Sequence, residues 1–72
     1  MTNTKPLAPG EIRIATADDG CKIQIMEVAG GSFINVQVRH GLQLLYTHTW
    51  PSNQDNLALA EYNRQREAHN AY

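Results

Sequence analysis

The sequence predicts an α+β domain, a four-stranded antiparallel β-meander followed by one C-terminal α-helix packed on one sheet face. Three observations predict it. Turn signals at Asp19-Gly20, Gly30-Gly31 and Arg39-His40-Gly41 recur at nearly even spacing. The segments between them, EIRIAT, KIQIMEV, SFINVQV and LQLLYTHT, are rich in β-branched, aliphatic or aromatic residues and alternate in polarity. After Trp50-Pro51, SNQDNLALAEYNRQREAHNAY holds good helix formers and neither Gly nor Pro.

Taken in order, residues 1–10 (MTNTKPLAPG) contain two prolines and no hydrophobic segment, and are expected as a flexible tail ahead of a single domain over 11–72. The Asp-Gly and Gly-Gly signals suit two-residue primed hairpin loops, where Gly accepts positive φ. The third suits a three-residue loop closed by Gly41. These loops set Asp18 opposite Cys21, Ala29 opposite Ser32 and Val38 opposite Leu42. One face then carries the row Ile14, Ile25, Val36, Leu44. It is flanked by Thr16, Ile23, Val38, Leu42 and by Ile12, Glu27, Ile34, Tyr46. That face is almost continuously apolar and is the expected core. A slip of one residue would exchange the faces.

The opposite face carries Ala15, Gln24, Gln37, Gln43, then Arg13, Met26, Asn35, Leu45, then Glu11, Val28, Phe33, Thr47. Met26, Val28, Phe33 and Leu45 form an apolar island there, with Val28 and Phe33 a direct cross-strand pair. The plainer reading is scattered surface hydrophobics. The sharper one is a binding surface with Phe33, Met26, Val28, Leu45, Arg13, Gln24 and Gln37 as partner-contacting residues, because clustered apolar groups in a polar surround mark interfaces.

Ser52 with Asp55 three residues on forms a reduced capping box. Asp55 early and Arg64, Arg66 and His69 late complement the helix dipole. On a helical wheel Leu57, Ala60, Ala68 and Ala71 share the side expected to dock. Glu61 and Arg64 dilute that sector, and Leu59 and Tyr62 lie elsewhere. Trp50 is expected to seal one end of the core face.

With 72 residues, net charge −1, 42% hydrophobic and 18% charged residues, the chain is near the small end of what folds unaided. So little core favours association with a partner or a second copy. The single Cys21 excludes an internal disulfide, offers no second thiolate to a zinc site and suits a reducing, cytoplasmic setting. No apolar run approaches the ~18 residues of a membrane span, and no leader pattern is present.

No motif carries chemistry. His40, His48 and His69 lack the helical or short-loop spacing of a metal site, and no metal or cofactor is expected. In the expected register Cys21 lies in the row of Asp18 and His40, but no cleft or oxyanion donor accompanies them, so no catalytic residues are expected. Asp18-Asp19 is turn chemistry. Glu61 and Glu67 read as solvated charge, and Gly30-Gly31 precedes no helix and so is not a phosphate loop.

The order of four strands and one helix, from about Glu11 onward, resembles that of the single-stranded-DNA-binding transcriptional coactivators of the positive-cofactor type. That resemblance implies a dimeric nucleic-acid-binding domain. Six basic residues balanced by seven acids argue against a basic groove, and only Phe33 beside Gln24, Gln37, Asn35 and Arg13 offers a stacking patch. The favoured expectation is a non-enzymatic protein–protein interaction module. It would be homodimeric, of the kind found among bacterial or phage accessory and inhibitor proteins that block the surface of a host enzyme or defence system.

Overall fold

A computed structural model describes residues 5–71. Strands β1 (Ile12–Thr16), β2 (Cys21–Val28), β3 (Phe33–His40) and β4 (Gln43–Pro51) form one antiparallel sheet in chain order. A 3-10 turn (Ser52–Gln54) leads into helix α1 (Asp55–Ala68), which packs on β2, β3 and β4. This is the predicted meander with its C-terminal helix. Among the described residues no helix is long and apolar enough to cross a membrane.

Only one of the three hairpins keeps its expected register. Ile25 faces Val36 and Val28 faces Phe33 across β2–β3, as predicted, although the loop spans four residues with a 3-10 turn at Ala29–Gly31. The β1–β2 loop is not the two-residue kind. Ala17 N donates to Cys21 O at 2.8 Å and Gly20 N to Ala17 O at 3.1 Å, with Gly20 at φ 89°. Asp19 Oδ1 accepts from Cys21 N at 2.9 Å. Residues 18–20 therefore make a three-residue loop ending in a left-handed Gly, stabilised by the Asp side chain. The extra loop residue slips β1 by one, setting Ile14 opposite Gln24 and Arg13 opposite Ile25. Ile12 and Ile14 thus stand on the outer face, and Glu11, Arg13, Ala15 and Ala17 face the helix side.

The last hairpin is displaced further. Gly41 at φ 60° and Leu42 alone form the turn between His40 and Gln43. A register shift between Val38 and Arg39 leaves Leu45 as the extra residue of a bulge. Val36 consequently faces His48 rather than Leu44, and Ile34 faces Trp50. Leu42, expected in the core, is fully exposed at the tip, whereas Tyr46 and Trp50 pack against the core as expected. Two large aromatic rings cover more of the sheet than two leucines near a turn.

The core is Ala15, Cys21, Ile23, Ile25, Ile34, Val36 and Val38 from the sheet and Ala17 just past β1, closed by Ala58, Leu59 and Tyr62 of α1 and by Ala71. The docking side of the helix is therefore the one holding Leu59 and Tyr62. Leu57, Ala60 and Ala68 are exposed. The wheel weighted small alanines against two large side chains, and the large ones decide because burial scales with apolar area. No side-chain cap forms at the helix start, and Ser52 N donates instead to Ser32 O at 3.0 Å. At the other end Asn70 adopts φ 55°, with Asn70 N bonded to Glu67 O and Ala71 N to Arg66 O at 2.7 Å. That pattern is a Schellman close, and it tucks Ala71 into the core.

Residues 5–10 lie against the domain. Arg13 donates to Lys5 O at 2.7 Å and Pro6 O at 2.9 Å, and Leu7 packs on the core. The segment thus covers the inner face beside β1.

Glu61 ties the helix to the edge strand. Its carboxylate accepts from Arg64 Nε at 2.7 Å, from Gln65 at 2.9 Å and from the Tyr46 hydroxyl, and these bonds, Arg64's foremost, lower its pKa to about 2. A carboxylate held below its unfolded value stabilises the fold above pH about 4.5, and that contribution disappears as the pH falls toward 2. Glu11, lowered mainly by Arg13, and Asp19, lowered mainly by the Cys21 N–H, act in the same window. The urea midpoint should accordingly be flat above pH 5 and drop between pH 4.5 and 2. Glu61→Gln should reduce the drop by on the order of 1 kcal/mol, given the exposed Arg64 partner. A midpoint unchanged at pH 3 contradicts this.

Candidate functional site

Among the described residues no element lies over the outer sheet face. Across its rows Ile12 pairs with Met26, Asn35 and Thr49. Ile14 pairs with Gln24, Gln37 and Thr47, and Val28 with Phe33 and Pro51. The chain Ile14, Ile12, Met26, Val28, Phe33 is contiguous, each member opposite or two residues along from the next. Ile12, Ile14 and Phe33 are 54%, 56% and 43% exposed, and Met26 and Val28 are half-buried among them. Met26, Val28 and Phe33 were legible as a cluster, with Gln24 and Gln37 beside them. Ile12 and Ile14 were not, because the β1 slip brings them there.

Two expected members of the surface lie elsewhere. Arg13 is on the helix side, where it bonds Glu11 at 2.8 Å and the carbonyls of residues 5 and 6. Leu45 sits at the bulge, nearer Arg39 than Phe33, with Leu44 exposed next to it. Among the described residues no acid falls on the outer rows, and its two cations, Lys22 and Arg39, face each other at the end away from Phe33.

Asn35 occupies the middle of this face and is buried. Its amide donates to Thr47 Oγ1 at 2.9 Å, Thr49 Oγ1 at 3.1 Å and His48 O at 3.1 Å, which pins β4 to β3. Its Oδ1 is buried without a hydrogen-bond partner. An unmet acceptor costs about 1–3 kcal/mol, so the face holds a polar centre that the isolated fold leaves half satisfied.

A second constellation lies where the β1–β2 loop meets the end of α1. Asp19 Oδ2 is 3.1 Å from His69 Nδ1, and Asp19 Oδ1 accepts from the Cys21 backbone. The donor atoms of Asp19, Cys21 and His69 lie within 4.8 Å of one another. Burial first, and then Asp19, push the Cys21 thiol up. A buried thiol so raised is not an activated nucleophile. Sequence spacing gave no sign of this cluster, because Asp19 and His69 are 50 residues apart. His40, which the sequence set beside Cys21, is indeed its cross-strand partner.

No protein-family model, curated protein or solved structure matches the chain.

Proposed function

We propose that the protein is a protein–protein interaction module that works through its outer sheet face, with a second copy of the chain as the first occupant. The observation that carries this reading is the contiguous apolar path Ile14, Ile12, Met26, Val28 and Phe33, largely exposed, on a sheet face that none of the described residues covers. Isolated exposed leucines need no explanation, but a continuous patch with a polar rim of Gln24, Gln37, Thr47 and Thr49 does. The absence of acids from the face leaves little charge to desolvate between two copies.

Blocking the surface of a larger protein, as a bacterial or phage accessory or inhibitory protein would, uses the same contacts. The reading includes no enzymatic activity, and the free Cys21 suits the cytoplasm. The test is sedimentation equilibrium of the intact chain across a concentration series. A dimer at high micromolar concentration is expected, and a monomer throughout rejects the reading.

One observation favours a second reading. Lys22, Arg39 and Phe33 share a face without acids, which is the minimum a single-stranded nucleic acid needs. Such binding would weaken steeply with salt, through counterion release, whereas apolar self-association would not. Fluorescence anisotropy with a labelled oligonucleotide at two salt concentrations separates the two.

A further inference from the structure

The geometry points to a transition-metal site of the zinc class built from Asp19, Cys21 and His69. It goes beyond the interaction reading and lies off the outer face, so either can fail without the other.

Three separate backbone devices hold the ligands. Asp19 is the middle residue of the three-residue loop and is fixed by its own bond to Cys21 N at 2.9 Å. Cys21 opens β2 in the sheet ladder, its side chain only 4% exposed. His69 is the C-cap of α1, its N–H bonded to Gln65 O at 3.1 Å, and the Schellman close follows it. Each donor is thus held by its own local device, and the packing of α1 on the sheet brings the helix end to the loop.

The donor set selects the ion. Thiolate sulfur, imidazole nitrogen and one carboxylate oxygen form a borderline-soft set, suited to Zn²⁺ and Co²⁺ and poor for Ca²⁺ or Mg²⁺. In a tetrahedron of ordinary zinc bonds the donors stand roughly 3.3–3.6 Å apart. Asp19 Oδ2 and His69 Nδ1 are already 3.1 Å apart, and the widest separation in the set is within 4.8 Å. Drawing the sulfur in by about an ångström completes the arrangement. Binding releases the Cys21 proton to solvent, so Zn²⁺ meets one thiolate, one carboxylate and a neutral imidazole, and the site is neutral overall. A cation at the C-terminus of α1 is also favoured by the helix dipole. With three protein donors, one of them on the exposed Asp19, a water completes the four ligands. The His40 side chain lies beside the same loop, its Nε2 3.3 Å from where a Gly20 Cβ would be.

The experiment is titration of the full chain with Co²⁺, followed by absorption, and with Zn²⁺ against a chromophoric chelator. One equivalent of Co²⁺ should give a thiolate-to-cobalt charge-transfer band and tetrahedral d–d bands. Excess Zn²⁺ should raise the unfolding temperature, and Mg²⁺ should do neither. Cys21→Ser should abolish the charge-transfer band. His69→Ala and Asp19→Asn, both at partly exposed positions, should each weaken Zn²⁺ binding at least tenfold while leaving the metal-free circular dichroism unchanged. The absence of a charge-transfer band in the wild type overturns the site. So does a wild-type Zn²⁺ affinity in folded His69→Ala.

Discussion

Ile25→Ala should destabilise the fold by about 2–5 kcal/mol, the range for a buried aliphatic truncated where neighbours cannot collapse into the space. Ile25 is fully buried in the centre of the sheet, between Arg13 on β1 and Val36 on β3. The ladder holds both neighbouring strands in place, so the vacated volume persists. For a domain of this size each kcal/mol moves the melting temperature by about 4–8 °C, so a loss of roughly 10 °C or more is expected. Two truncations of similar size supply the comparison. Leu42→Ala at the hairpin tip and Ile14→Ala on the outer face should each stay within about 0.5–1 kcal/mol of wild type in the monomer. The register first expected from the turns makes Ile14 and Leu42 core residues, so thermal unfolding of the three variants decides between the two registers. If Leu42→Ala melts as early as Ile25→Ala, the β4 pairing described above is wrong.

How much of this was legible depended on what fixes each hairpin. The β2–β3 register follows from long alternating strands on both sides, KIQIMEV and SFINVQV, and survives an error in loop length. That pairing placed Met26, Val28 and Phe33 together from sequence alone. The β1 register hangs on five residues and on whether Asp19-Gly20 turns in two or three residues. The deciding interaction is a single Asp19 side-chain bond to the Cys21 N–H, which no composition rule reveals. Alternation misleads here as well. In EIRIAT the isoleucines are the apolar set, yet the helix side takes Ala15, with Ala17 just beyond, both buried in the core, and Arg13, whose guanidinium is satisfied by backbone carbonyls. On β4 a short turn and a bulge act together, and periodicity detects neither. His69 could not be joined to Asp19 and Cys21 from spacing, because only the packed helix brings its end to that loop.

Phe33→Ala and Ile14→Lys should each break self-association while sparing the fold, the second more completely. Phe33 is the only aromatic residue of the exposed apolar path, and truncating such an anchor typically costs ~2 kcal/mol or more at an interface. In a symmetric dimer each substitution occurs in both copies, so the effect is counted twice and affinity falls well beyond tenfold. Ile14→Lys places a charge at the end of the apolar path nearest Lys22 and Arg39, the other charges of that face, which are also positive. Neither residue supports the core. Phe33 touches the fold through Val28 across the strand pair, and Ile14 lies on an edge strand with its side chain in solvent. Unfolding temperatures should therefore stay close to wild type, in contrast with Ile25→Ala. The measurement pairs sedimentation equilibrium, at a concentration where the wild type is dimeric, with thermal unfolding at a concentration low enough to populate the monomer. Variants that melt like wild type and sediment as monomers make the outer face the interface. If Phe33→Ala unfolds like a core variant, or both variants remain dimeric, association runs elsewhere. The open edge of β4 is then the surface to test, because among the described residues it is the longer of the two edge strands, nine residues against five for β1.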